Sequence, residues 1–198
     1  HTHSRKYPNR TDVFRPGDSA NTLLYVVSGS LSVITEEPDG RELILSYINK
    51  GDFIGELGLF FKPEKREVIL RTKTTCELAE IGYEQLQELF VGSLKDECPK
   101  IIYAIGSQIS KRLLETSRKV SRLAYLDVAN RILRTLHDLC QEPDALSHPL
   151  GMQIHISRQE ISRIVGCSRE MAGRVLKQLE TQNLLQAHGK TIVVFGTR

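Results

Sequence analysis

The chain has 198 residues, 40% of them apolar and 26% charged, which is typical of a globular protein with one large domain or two small ones. No apolar run approaches the roughly 18 residues of a membrane span, and no signal-peptide pattern opens the sequence, so membrane-spanning and secreted classes are disfavoured and a cytoplasmic protein is expected. The net charge of +3 divides into −4 for residues 1–99 and +7 for residues 100–198, which makes the second half the candidate for contact with a polyanion.

The first predicted elements are short strands between residues 13 and 82. Glycines at positions 17, 29, 40 and 51 separate them at intervals of 11 or 12 residues, and PDG at 38–40 predicts a hairpin turn. This spacing favours an antiparallel sandwich, a β-roll or a jelly roll. The predicted strands are LLYVVS (23–28), SLSVITEE (30–37), ELILSYI (42–48), EVILRTKT (67–74) and CELAEIG (76–82).

A single long helix is predicted next, from about Pro99 to Leu126. Its mostly apolar residues repeat in heptads, which favours a coiled coil between two copies of the chain. An amphipathic helix packed on its own domain is the alternative. The hydroxyl of Thr116, followed by Ser117, is an unusual choice for a seam that serves stability alone. The seam positions are Ile102, Ile109, Thr116 and Leu123, and Gly106, Leu113 and Val120.

Residues 127–198 are predicted to form a third segment, so the expected domains are 1–98, 99–126 and 127–198. A helical stretch over 127–141 ends before Pro143, and a surface loop over 142–151 and a short strand follow. The sequence opens on His1 rather than methionine, which leaves open whether a natural N-terminus precedes it.

The stretch SRQEISRIVGCSREMAGRVLKQLETQNLL, residues 157–185, has the layout of a helix-turn-helix. Ser157 and Ser168 stand where the two helices would be capped, and Gly166 supplies a turn position that tolerates positive φ. The apolar face of the first helix is formed by Ile161, Ile164 and Val165, and that of the second by Met171, Ala172, Val175, Leu176 and Leu179.

The polar face of the second helix is suited to reading DNA. Arg169, Glu170 and Arg174 lie near its N-terminus. Arginine can make two hydrogen bonds to guanine, and glutamate can accept from cytosine. A predicted wing, AHGKTIVVF, would bring His188 and Lys190 near phosphates. A solvated helix with fortuitous charge is the competing interpretation.

The chain resembles the CRP/FNR family of transcription regulators over essentially its whole length. The resemblance implies an α+β protein with an N-terminal cyclic-nucleotide-binding β-roll, a dimerisation helix and a C-terminal winged helix-turn-helix that docks in the major groove. It is carried by GDFIGELGLF (51–60), TSRKVSRLAYLDV (116–128), QEISRIVGCSREMAGRVLKQLE (159–180) and HGKTIVVFGTR (188–198).

The resemblance also implies roles for individual residues. Gly55 and Glu56 match the residues that hold the nucleotide's ribose and phosphate, and Arg66 matches the arginine that pairs with the cyclic phosphate. Thr116 and Ser117 match the pair that contacts adenine, Ser117 reaching the nucleotide of the partner subunit.

The implied partners are a second copy of the chain, a cyclic nucleotide, double-stranded DNA with an inverted-repeat site, and RNA polymerase. The expected polymerase contacts are His3 in one patch and Ser147, His148 and Gly151 in a surface loop. The expected DNA contacts are Ser157, Arg158, Ser168, Arg169, Glu170, Arg174, His188 and Lys190.

Glu67 departs from the pattern of the cyclic-AMP-binding members, which carry serine beside the phosphate-binding arginine. Two like charges about 4 Å apart at an effective dielectric of 20 repel by roughly 4 kcal/mol. The sequence therefore predicts cyclic-AMP binding about a hundredfold weaker than in a serine-bearing relative; a Glu67 that points into solvent is the alternative. TDVFRPGD (11–18) and REVILRTKT (66–74) look closer to the CAP-like (Clp-type) regulators, described as binding DNA without nucleotide and releasing it with cyclic di-GMP. Cyclic AMP as an activating ligand is the runner-up.

Other functional classes find little support in the sequence. No GxSxG, HExxH or complete P-loop occurs, so no catalytic residue is expected. An architectural DNA binder with a vestigial sensor domain stays as a minor alternative. The four cysteines are scattered without metal-ligand spacing, so reduced thiols and no metal site are expected.

Overall fold

A computed structural model of the chain describes residues 3–61 and 65–197. The chain divides into two compact units, His1–Thr116 and Ser117–Arg198. None of the helices in the described part of the chain is both long enough and apolar enough to cross a membrane.

The first unit contains two four-stranded antiparallel sheets, in the orders β1-β8-β3-β6 and β2-β7-β4-β5. Leu31 and Leu70 from one sheet and Val26 and Leu78 from the other belong to one buried apolar cluster, so alternate residues of the predicted strands face inward. The strands are β1 (His3–Tyr7), β2 (Asp12–Phe14), β3 (Thr22–Ser28), β4 (Ser30–Glu36), β5 (Glu42–Asn49), β6 (Phe53–Ile54), β7 (Ile69–Thr72) and β8 (Cys76–Gly82).

Glycine is required at one turn of this unit in particular. Gly29, between β3 and β4, has a φ of 89°. A β-carbon there would stand 2.5 Å from the carbonyl oxygen of Thr75. The predicted hairpin at 38–40 also forms, with the backbone N–H of Gly40 donating to the carbonyl of Glu37 at 2.8 Å.

Helical segments complete the first unit. A short 3-10 helix (Glu56–Leu59) follows β6, α1 spans Tyr83–Val91, and α2 spans Cys98–Tyr125. Ile105 of α2 is fully buried with Leu23 and Leu86, so this helix packs on the β-roll through one face. The sequence predicts the extent of α2 within a residue, whereas it gives no indication of α1.

The second unit has its own core and a four-stranded sheet in the order β11-β12-β10-β9. Ile132 of the first helix, Ile161 and Leu176 of the helix-turn-helix and Ile192 of the sheet are all buried. The elements are α3 (Val128–Leu139), β9 (Leu146–His148), β10 (Gly151–His155), α4 (Arg158–Val165), α5 (Arg169–Thr181), β11 (Leu185–His188) and β12 (Thr191–Phe195).

Candidate functional site

Arg66 is the buried cation of the predicted effector site. It is only 8% exposed. Its Nη2 donates to the carbonyl oxygen of Thr22 at 2.7 Å and lies 3.2 Å from the Thr22 hydroxyl. The guanidinium lies over the ring of Phe14, 4.5 Å from its centroid. Its Nε is buried and has no hydrogen-bond partner among the described residues. The chain thus already contacts much of this cation, although one donor is left over.

Gly55 packs directly against Arg66. It has a φ of 85° at the start of the 3-10 helix. A β-carbon at this position would stand 2.6 Å from the Thr22 carbonyl oxygen and 2.7 Å from Arg66 Nη1. The hydroxyl of Tyr83 donates to the Gly55 carbonyl at 2.6 Å, and burial raises the pKa of that phenol against the opposing effect of Arg66. Only glycine fits this close approach of loop, cation and ring.

Glu56 is buried and already paired. Its Oε1 lies 2.7 Å from Nη1 of Arg112, a residue of α2. Nη2 of Arg112 donates to the Phe53 carbonyl, also at 2.7 Å. The sequence analysis does not identify Arg112, because it is 56 residues from its partner and no local pattern marks it.

The remaining predicted effector residues lie at the surface. Glu67 is exposed and has no ion-pair partner in the described part of the chain. Thr116 and Ser117 are exposed on α2, the first ending one compact unit and the second beginning the other. The structure thus brings Gly55, Glu56 and Arg66 together around partners that the sequence did not indicate, and leaves the other three solvent-facing.

The helix-turn-helix of the second unit is capped as its sequence predicts. The Ser157 hydroxyl accepts from the N–H of Glu160 at the start of α4. That of Ser168 accepts from the N–H of Met171 at the start of α5. Gly166 ends α4 with a φ of 67°, in the left-handed region. These local bonds fix the three-residue turn between the two helices.

The N-terminal part of α5 presents three exposed charged side chains, Arg169, Glu170 and Arg174. A hydrogen bond from its own backbone N–H, and then one from the Ser168 hydroxyl, hold the pKa of Glu170 below its usual value. Glu170 therefore stays ionised and can act as an acceptor. Arg158 is also exposed, and its side chain passes close to Gly173 of the same helix-turn-helix.

The wing is the β11–β12 hairpin. His188 pairs with Thr191 at its end, and Gly189 adopts a φ of 64° in the two-residue turn. His188 and Lys190 are both exposed at this tip. The exposed charged groups of the second unit thus lie on elements of the kind that contact bases and phosphates.

The predicted polymerase-contact loop is partly a hairpin. Ser147 and His148 belong to β9, which pairs with β10, so the loop predicted over 142–151 contains a strand. Ser147 is exposed and His148 half-buried, but Gly151 is buried. A β-carbon at Gly151 would stand 2.0 Å from the Val194 carbonyl oxygen, so this residue serves packing of the sheet. His3 is exposed on β1.

No cluster of three or more metal-ligating side chains occurs among the residues that the structure describes. The four cysteines are unpaired, and burial raises the pKa of the thiols at 76, 140 and 167.

Two family models match the chain. Residues 4–92 match the cyclic nucleotide-binding domain, and residues 154–185 match the bacterial regulatory proteins of the crp family. The chain is 65% identical to the CRP-like protein Clp of Xanthomonas euvesicatoria pv. vesicatoria (strain 85-10), over all of its own length and 86% of that relative. It has the same identity and coverage to the CRP-like protein Clp of Xanthomonas campestris pv. campestris (strain 8004).

Solved structures resemble the chain along nearly its whole length. One, of a protein described as the c-di-GMP responsive global regulator CLP of Xanthomonas campestris, has a TM-score of 0.94 and 64% identity, covering 100% of this chain and 95% of that one. A second, a transcriptional regulator of the CRP/FNR family from Thermus thermophilus, has a TM-score of 0.81 at 19% identity, covering 98% and 93%. The predicted fold class is confirmed, and the similar proteins are transcription regulators rather than enzymes.

Proposed function

The chain belongs to the CRP/FNR family of DNA-binding transcription regulators, as a Clp-type member, and from this premise we propose that it binds its DNA site without cyclic AMP and that cyclic di-GMP weakens that binding. The effector-binding domain and the DNA-reading domain of the family are both present. The structural neighbour described as c-di-GMP responsive supports the choice of dinucleotide.

The single observation that carries the cyclic-AMP-independent part is that the polar groups of the effector site have partners within the chain. Glu56 is bonded to Arg112, and Arg66 is bonded to Thr22 and covered by Phe14. A nucleotide must replace these contacts before it gains any of its own, and only the surplus contributes to affinity. The missing hydroxyl at position 67 removes one of the contacts that would supply the surplus.

On the DNA side, we propose that α5 enters the major groove and that a dimer reads inverted half-sites about 34 Å apart, as helix-turn-helix dimers do. Arg169, Glu170 and Arg174 are the proposed base contacts. Two exposed apolar residues of α2, Leu113 at 66% and Val120 at 60%, support dimerisation along residues 102–123, since a monomer would leave this seam in water.

The proposed phosphate contacts are Arg158, His188 and Lys190, with Ser157 and Ser168 at the two helix starts nearest the DNA. RNA polymerase is the proposed protein partner, met by His3 and by the β9–β10 hairpin through Ser147 and His148. Both activities place the protein in the bacterial cytoplasm.

The test is a calorimetric titration of the protein with cyclic AMP and with cyclic di-GMP, each followed by a DNA-shift assay. We expect DNA to be bound with no nucleotide added, cyclic di-GMP to weaken binding, and cyclic AMP to bind weakly without changing it. Low-micromolar cyclic-AMP binding that is required for the DNA shift would replace this proposal with the cyclic-AMP-activated type of regulator.

A further inference from the structure

Two side chains of α2, Gln108 and Arg112, hold the segment that leads into the effector site. Gln108 Oε1 accepts from the N–H of Phe53 at 3.0 Å, and its Nε2 donates to the Asp52 carboxylate at 2.7 Å. Arg112 donates to the carbonyl of the same Phe53 and to Glu56, both at 2.7 Å. Both backbone polar groups of one strand residue are therefore bonded to α2. We call these two side chains with their four bonds the α2 clamp.

The α2 clamp is built from adjacent turns of one helix face, because residues four apart lie above one another. The Arg112–Glu56 pair is well shielded, with side chains only 21% and 11% exposed. The neighbouring Lys111–Glu115 pair has side chains 78% and 52% exposed and a separation of 3.9 Å. Shielded, charge-assisted hydrogen bonds at 2.7 Å are the stronger kind, whereas exposed ion pairs contribute little.

The position of the clamp links it to regulation. It joins the 3-10 helix that carries Glu56 to the helix that carries the dimer seam, and an effector would have to make the same connection. An effector shifts such an equilibrium only by the difference between its affinities for the two states. If the chain makes the connection by itself, little remains for a nucleotide to add.

We propose that Gln108 and Arg112 are the positioning residues that make DNA binding independent of an activating nucleotide, acting as an internal substitute for one. The inference rests on the proposed cyclic-AMP-independent DNA binding and names the device behind it. Arg112 occupies the carboxylate that the family resemblance assigns to the ribose, so a cyclic mononucleotide competes with the clamp instead of completing it.

The test uses the full-length protein and compares Arg112→Met and Gln108→Leu with Lys111→Met. The control removes a positive charge from the same helix at an exposed pair. DNA affinity is measured by fluorescence anisotropy without nucleotide and with saturating cyclic AMP. Each clamp variant should bind DNA about 5- to 150-fold more weakly without nucleotide, the usual range of an allosteric coupling. Lys111→Met should match the wild type, and Arg112→Lys should recover part of the loss, because it restores the charge but not the forked geometry.

A loss of folding or of dimerisation is separated from a loss of coupling by sedimentation and far-UV circular dichroism at the same concentrations. If Arg112→Met fails to fold, Gln108→Leu decides the question, because it removes no charge. A folded, dimeric clamp variant that binds DNA as the wild type does overturns the inference and leaves the proposed function standing. A wild type that needs cyclic AMP to bind DNA overturns both, and that result is read in the wild-type measurement alone.

Discussion

Replacing Glu67 by serine should strengthen cyclic-AMP binding about 10- to 100-fold. A hydroxyl beside the phosphate would add one hydrogen bond to a charged acceptor, worth about 1.5–3 kcal/mol, and each ~1.4 kcal/mol is a factor of ten in affinity. The carboxylate that is removed is exposed. Its repulsion of a phosphate about 4 Å away is therefore nearer the ~1 kcal/mol expected in water than the larger value assumed from sequence. The hydrogen bond, rather than the relief of charge, should dominate.

The assay is isothermal titration of cyclic AMP into the wild type, Glu67→Ser and Glu67→Ala. Alanine removes the charge without supplying a hydroxyl, so it should gain at most about fivefold, the equivalent of ~1 kcal/mol. An equal gain in both variants would show that charge decides the affinity. No gain in the serine variant would show that residue 67 does not reach the phosphate, and the reasoning from the Glu67 departure would be refuted.

The other predictions concern assembly, DNA readout and stability. Leu113→Glu should give a monomer in analytical ultracentrifugation, because two unpaired carboxylates would face each other in the seam. Arg174→Ala should cost about 1–3 kcal/mol on the specific site and relax preference at one guanine, whereas Lys190→Ala should weaken binding to all sequences and flatten the salt dependence. Equal losses for both variants on specific and random DNA would contradict the Arg174 assignment. Gly151→Ala should lower the midpoint of thermal unfolding by at least about 4 °C, because the added carbon would meet the Val194 carbonyl; an unchanged midpoint would show that β10 and β12 can separate.

Local chemistry is what made the second unit predictable. Ser157, Gly166 and Ser168 act within a few residues of themselves, through capping bonds and a left-handed turn, so their spacing alone identifies the motif. The strands of the first unit are likewise marked by alternation and by glycine turns. Helix α1 was missed because nine residues behind Gly82, with no side-chain cap, carry too little periodic signal.

The partners within the effector site were not predictable in the same way. Arg66 bonds to Thr22, 44 residues away, and Glu56 bonds to Arg112, 56 residues away. Such pairs depend on how the sheets and α2 pack, and many charged residues could equally have met. The family resemblance identified residues that could hold a ligand, but not the contacts they make within this chain.

The crowding around Gly55 limits how such a protein can change what it senses. A side chain at Gly55 would collide with the Thr22 backbone and with Arg66, and one at Gly58 would stand 2.2 Å from the ring of Tyr83. Glu67 is exposed and can be replaced without disturbing any packed neighbour. Variation in effector preference is therefore channelled to position 67, so a lineage can drift from one nucleotide to another while the fold of the sensor stays intact. In a mutational scan of the first unit, we expect Gly55 and Gly58 to tolerate almost no replacement and Glu67 to tolerate most of them.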